Sequence, residues 1–153
     1  MIATLVLTAA IVTSSIPMDG EAPLPQPIQI GAKDHDGPSL YQGRHYSPRH
    51  EKVRRCIRAR ESNSDYRAVS RTGRYRGAYQ MSPELGIGAS WMIQRDLRRA
   101  GYGENAKRTG ALLRSHPINQ WHPYYQDKAF WLVWDHGRGR AHWAHTVPGT
   151  GCF

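Results

Sequence analysis

Cysteine is scarce in this chain of 153 residues: only Cys56 and Cys152 occur, with 95 residues between them. That spacing excludes metal sites built on clustered thiolates. No apolar run reaches the ~20 residues that cross a bilayer, and no repeat of roughly 20–50 residues is visible, so a solenoid is not supported. The chain has no Gly-x-Ser-x-Gly elbow, and "GIG" at 86–88 lacks the rest of either phosphate-binding fingerprint. Eight histidines are present, yet none has the His-Glu-x-x-His spacing of a zinc peptidase. No metal or other cofactor is therefore expected, and the histidines read as solvated polar residues.

What is present can fold and is strongly basic. Hydrophobic residues make up 39%, with five Trp and eight Tyr, which is enough for one modest core. The net charge of +9 is unevenly spread. Residues 1–50 hold three basic and four acidic groups, and residues 51–153 hold eighteen and eight, a balance of −1 against +10. A positive field of that size favours polyanionic partners, whether nucleic acid, an anionic membrane or an acidic cell wall, without choosing among them.

Composition divides the chain into three parts. Residues 1–22 open with "MIATLVLTAAIVTSSIP", apolar enough for the central region of a signal peptide, although no Lys or Arg precedes it and no clear cleavage motif follows. Export is the reading this favours; left uncleaved, the segment would serve as an N-terminal anchor, and a buried strand or helix is the structural alternative. Residues 23–48 contain Pro23, Pro25, Pro27, Pro38 and Pro48 and few large aliphatics, as expected of an extended linker without its own core. Residues 49–153 form the folded domain. In an exported protein, Cys56 and Cys152 would pair and clamp the tail to the first helix; in a cytosolic one they would be unrelated thiols.

Within the domain a mainly α (α+β) fold is expected. Arg49–Ser62 has Val53, Cys56 and Ile57 on one stripe, which predicts an amphipathic helix ending near Glu61. "SNSD" then breaks it. "YRAVSRTGRYRGAYQM", at 66–81, predicts a short β-hairpin or irregular ribbon. Ser82 and Pro83 mark a helix start, but Gly86 and Gly88 make its continuation doubtful, so the firmer helix runs about Ala89–Ala100 with Trp91, Met92, Leu97 and Ala100 toward a core. Further helices are expected over about Asn105–Ser115 and from Pro123, the last being the most apolar and central. The tail beyond it, "HGRGRAHWAHTVPGTGCF", would be held down by Cys152 alone.

Two features could carry function. Basic and aromatic residues interleaved in "RTGRYRGAY" suit single-stranded nucleic acid, and they equally suit sugars, whose ring faces stack on aromatics. Export would argue against nucleic acid. The other feature is Glu61, which at a helix C-terminus faces the negative pole of the macrodipole, and burial against aromatics would also favour its protonated form. Opposing this, Arg58 and Arg60 are close enough in sequence to make Glu61 a plain ion-pair partner. Local chemistry leaves both open.

The stretch "CIRARESNSDYRAVSRTGRYRGAYQMS" resembles the transglycosylase-like catalytic domain of resuscitation-promoting factors, peptidoglycan-cleaving proteins of actinobacteria with a small lysozyme-like fold. In that family a helix ends in Glu-Ser, an aromatic follows, and a glycine-aromatic-Gln segment crosses the cleft. Here these are Glu61 and Ser62, then Tyr66, then Gly77, Ala78, Tyr79 and Gln80. "YYQDKAFWLVWDHGRGRAHW" is similar to the family's closing helix, with Gln126, Asp127, Ala129 and Trp143 as landmarks, and the family's terminal cysteine pairing implies Cys56 with Cys152. Residues 82–122 depart from the family in length and basicity, although Trp91 could stand for a tryptophan that follows the Gln segment.

The resemblance implies a lysozyme-like domain with a short hairpin beside the catalytic helix. It also implies Glu61 as general acid, Gln80, Tyr79 and Tyr66 lining the sugar site, and peptidoglycan as substrate. Anionic wall polymers then become the partners of the basic surface, nucleic acid does not, and a secreted, wall-associated monomer is expected. Asp65 is the nearest second carboxylate, with capping of a turn as its other use. The competing classes are a non-catalytic wall-binding module and a basic nucleic-acid-binding protein.

Overall fold

Eleven of the twelve residues of the helix Pro123–Trp134 are buried, as befits a helix that is apolar nearly all round. The computed structural model describes residues 24–30, 35–144 and Cys152. Among them the fold is mainly helical: α1 (Glu51–Ser62), α2 (Pro83–Arg99), α3 (Gly103–Ser115), α4 (Pro123–Trp134) and α5 (Ala141–Ala144), with 3-10 turns at Pro48–His50, Ile118–Gln120 and Asp135–Gly137. Helix α4 is the central one, as its composition predicts. The leading segment 1–22 lies outside the described residues. Among the described residues, no helix is long and apolar enough to cross a membrane.

Helix α1 begins two residues later than expected and ends where expected. Asn63 stops it in the left-handed conformation, φ 55°, donating its N–H to the Ala59 carbonyl at 2.9 Å. Its buried face differs from the sequence reading. Ile57 is flanked there by Arg54 and Arg58, both fully enclosed. Two guanidiniums are tolerated inside because each meets several acceptors, with only the Arg58 Nε left without one among the described residues. Arg54 meets Glu51 at 2.6 Å, the Tyr79 hydroxyl at 2.6 Å and Asp127 at 3.3 Å. Arg58 meets Asp36 at 3.2 Å, the Tyr66 hydroxyl at 3.0 Å and the His35 carbonyl.

The segment after α1 is an irregular ribbon and not a regular hairpin. Only isolated bridges form, Val69 with Arg76 and Arg76 with Met81. Gly77 (φ 76°) and Gln80 (φ 47°) turn the chain too often for a ladder. Gln126 of α4 fixes the ribbon from below: its Oε1 accepts from the Ala78 N–H at 2.9 Å, and its Nε2 donates to the carbonyls of Tyr66 and Trp121. A Cβ on Gly77 would run into that same Oε1, so residue 77 must be glycine for both steric and conformational reasons.

Helices α2 and α3 form a helical hairpin joined through Gly101 (φ 90°). Ser82 caps α2 by accepting from the Leu85 N–H. Contrary to expectation, α2 runs unbroken through Gly86 and Gly88. Each glycine costs about 1 kcal/mol against alanine, and the burial of Ala89, Ile93 and Leu97 on the same helix outweighs it. Leu97 faces the core as expected and Met92 is half-buried, whereas Ala100 is exposed. Trp91 is also outside, 54% exposed, with the Arg114 guanidinium 3.5 Å from its ring centroid.

The proline-rich segment is extended and lacks its own core, but it is fastened to the domain. Ile28 bridges Trp121, Gln29 donates to the Gln120 carbonyl at 2.8 Å, and His122 donates to that of Pro27 at 3.0 Å. Ser39 accepts from the Trp131 indole, and Tyr41 is buried. Helices that leave their carbonyls, indoles and carboxylates unmatched give the strap its hydrogen bonds. At the other end the tail is held by two anchors. Cys56 and Cys152 are disulfide-bonded, with Cα atoms 5.5 Å apart, and Trp143 is buried against Phe130, donating its indole N–H to the Tyr79 carbonyl at 3.1 Å.

Candidate active site

The last turn of α1, the ribbon, the first turn of α2 and the short α5 surround an open cleft of about 780 Å³. Glu61 lines it from α1, at the negative end of the helix macrodipole, with its residue half-buried. The ribbon contributes Arg74, Tyr75 and Gln80; α2 contributes Ser82, Glu84 and Leu85; α5 contributes Ala141, His142 and Trp143. Gln80 is set by its left-handed backbone and by its Nε2, which donates to the Gly77 carbonyl at 3.0 Å. Tyr75 is 41% exposed and lines the cleft, with the Arg74 guanidinium 5.9 Å from its ring centroid.

Glu61 and Gln80 are therefore brought together. Tyr66 and Tyr79 are not in the cleft wall. Both are enclosed, and both hydroxyls donate to Asp127 Oδ1, at 2.7 Å and 2.5 Å. Arg54 reaches the same oxygen, and the Leu40 N–H donates to Oδ2 at 2.8 Å. Burial, then the negative charge of Asp127, pushes both phenol pKa values up, so they remain protonated donors. The physical reason for their inward position is this shared carboxylate, which a core-facing arginine and two phenols neutralise together. Their contribution to the cleft is indirect, since the Tyr79 carbonyl carries Trp143.

The arginines that could compete for Glu61 divide. Arg58 is committed to Asp36, Tyr66 and the His35 carbonyl, while Arg60 lies on the exposed side of α1. Asp65 takes the turn-capping use: its Oδ1 accepts from the Arg67 N–H at 2.7 Å, and it does not line the cleft. A different carboxylate does. Glu84, fully exposed, has its pKa lowered by its own backbone N–H, by the Ser82 hydroxyl and by the charge of Arg74. The only sequence signal for Glu84 is its place in the first turn of a helix capped by Ser82; Arg74 and Tyr75 belong to the interleaved basic and aromatic run 71–79, and His142 carries no signal of its own. Among the described residues no group of three or more His, Cys, Asp or Glu side chains converges as a metal site would require.

Chemically, the cleft offers the side chains of two glutamates, the pKa of Glu84 being lowered, an amide, an exposed tyrosine and an arginine. Such a set can hold sugar hydroxyls, stack sugar rings and transfer a proton. Comparison of the chain with protein-family models, with curated proteins and with solved structures returns no match.

Proposed function

We propose that this protein is a secreted peptidoglycan-cleaving glycosidase with a lysozyme-like catalytic domain, a muramidase or a lytic transglycosylase. It acts on the β-1,4 bond between N-acetylmuramic acid and N-acetylglucosamine. The observation that carries the reading is the convergence of Glu61, Gln80 and the Trp143 edge on one open cleft, from three separate chain segments. The disulfide adds weight to export, since such bonds persist in oxidising compartments.

In this reading Glu61 donates its proton to the departing glycosidic oxygen. The resulting carboxylate then takes a proton from water, giving a hydrolysed end, or from the 6-hydroxyl of the muramic acid, giving an anhydro end. Tyr75, the exposed aromatic of the cleft wall, stacks a sugar ring while Gln80 bonds its polar substituents. Glu84 replaces Asp65 as the second carboxylate available to the site, with its ionised charge facing the developing oxocarbenium ion. The +10 charge of residues 51–153 draws the protein to acidic wall polymers.

Mass spectrometry of purified wall digested by the intact chain tests this directly. Muropeptides should appear, and their reducing or anhydro ends distinguish the two routes. Retention on wall without any soluble product would instead identify a non-catalytic binding module.

A further inference from the structure

Beyond the first turn of α2, the outer face of the α2–α3 hairpin lies outside the cleft, and its chemistry changes along its length. Near the ribbon it is apolar: Ile87 and Trp91, one turn apart on α2, are 50% and 54% exposed. Toward the Gly101 turn it is basic, with Arg95 and Arg98 on the same side of α2 and Lys107 and Arg108 on α3, all of them exposed. Contacts between the two helices hold the face together. Gln94 of α2 accepts from Arg114 Nη2 of α3 at 2.9 Å, and the Arg114 guanidinium lies 3.5 Å from the Trp91 ring centroid.

Neither half of the face is explained by the fold itself. The indole of Trp91 leaves apolar surface in water, and the stacked cation keeps it there. Among the described residues, Arg95, Arg98, Lys107 and Arg108 form no ion pair: the adjacent Asp96 is buried and taken by Lys128, Arg44 and His45. The other acids of 82–122, Glu84 and Glu104, sit in the first turns of the two helices. The helix macrodipole favours Arg98, in the last turn of α2, but gives no reason for Lys107 and Arg108 near the start of α3. The combination discriminates between partners. A soluble polyanion would engage the cations and leave Ile87 and Trp91 in water. An anionic lipid surface engages both, since its phosphates attract the cations while an indole and an aliphatic side chain enter the boundary between headgroups and acyl chains.

We infer that the α2–α3 hairpin docks this domain on an anionic lipid bilayer. Ile87 and Trp91 enter the headgroup boundary, and Arg95, Arg98, Lys107 and Arg108 lie against the headgroup phosphates. Arg114, stacked on Trp91, brings its charge to the same depth while its methylene stem stays apolar. The docking surface is separate from the cleft, and the inference holds whether or not the cleft cleaves glycans. The basic segment 82–122, which departs from the family the chain resembles, thereby acquires a role of its own.

Mixing the intact chain with vesicles of phosphatidylglycerol and phosphatidylcholine that carry brominated acyl chains provides the test. Trp91 is the one exposed tryptophan of the five, the other four being buried, so contact quenching by bromine reports on this residue. The leading segment 1–22 is apolar enough to associate with lipid by itself, which is why the readout is the depth of a single residue and not total binding. Wild-type fluorescence should be quenched by the anionic vesicles and much less by brominated phosphatidylcholine alone. Trp91→Phe should lose the quenching. Arg98→Gln combined with Lys107→Gln should raise the lipid concentration needed for half-quenching about fivefold for each charge removed. Wild-type protein that sediments with the vesicles unquenched overturns the inference, as does failure to bind them or quenching that persists undiminished in Trp91→Phe. Tight binding of inorganic polyphosphate with no quenching by vesicles would assign the cations to a soluble polyanion and overturn it as well.

Discussion

Asp127 and Glu61 are carboxylates on either side of the same ribbon, and their surroundings could hardly differ more. Asp127 is fully enclosed, and both of its oxygens accept hydrogen bonds, from Tyr66, Tyr79, Arg54 and the Leu40 N–H. Glu61 is half-buried at a helix end and opens on a cleft large enough for sugars. A carboxylate sealed among donors holds structure; one that lines a cleft is within reach of what enters it. The aromatic residues follow the same division. Tyr66 and Tyr79 serve the buried carboxylate, and the exposed Tyr75 lines the cleft of the open one.

The comparison predicts opposite responses to substitution. The largest effect on stability should come from Asp127→Ala, which leaves two buried phenols without their acceptor and Arg54 with Glu51 as its remaining carboxylate: about 3–5 kcal/mol, measured by urea unfolding. Reduction of the Cys56–Cys152 bond, which frees the tail from α1, should cost about 2–4 kcal/mol and be read as a lower thermal midpoint in reductant.

Tyr79→Phe removes one hydrogen bond to Asp127 and should cost about 1–2 kcal/mol. It also tests a pH dependence. Both buried phenols have raised pKa values, so their stabilisation is complete below the ordinary phenol value of about 10 and lost as pH rises through the folded values. Tyr79→Phe should therefore make the alkaline loss of stability less steep; an unchanged alkaline limb would remove Tyr79 from the network.

A smaller effect is expected at Asp96, which meets Lys128 at 2.7 Å, Arg44 at 2.6 Å and His45 at 3.0 Å. Burial alone would raise its pKa, but Lys128 and then His45 bring it below the usual value. Its stabilisation is present above the ordinary carboxylate value of about 3.9 and is lost as pH falls through the lower folded value. Asp96→Asn should flatten that part of the acid limb.

The residues differ in how legible they are. Helix α4 can be read from its apolar run, because its burial is nearly complete and needs no partner to be known. The Cys56–Cys152 bond follows once export is granted. Glu61 and Gln80, which the family resemblance assigns to one site, line the same cleft. What stays hidden in sequence depends on distant partners. Arg54 and Arg58 look like surface residues until Asp127, Tyr66 and Tyr79 are folded against them. Tyr66 and Tyr79 look like cleft residues for the same reason. Gly86 looks like a helix breaker because helix propensity is local while the burial that overrides it is not. The strap at 24–30 and 35–48 has too few apolar residues to announce its attachment, which rests on hydrogen bonds to Gln120, His122, Trp131 and Asp127.

Glu61→Gln tests the central claim most directly, with muropeptide release and thermal unfolding measured on the same preparation. The account predicts that release from purified wall falls by about 10²–10⁴-fold, the range of a lost general acid, while stability stays within about 0.5 kcal/mol of the wild type, as for an open-facing substitution. Release at the wild-type rate from a normally folded Glu61→Gln protein would contradict it.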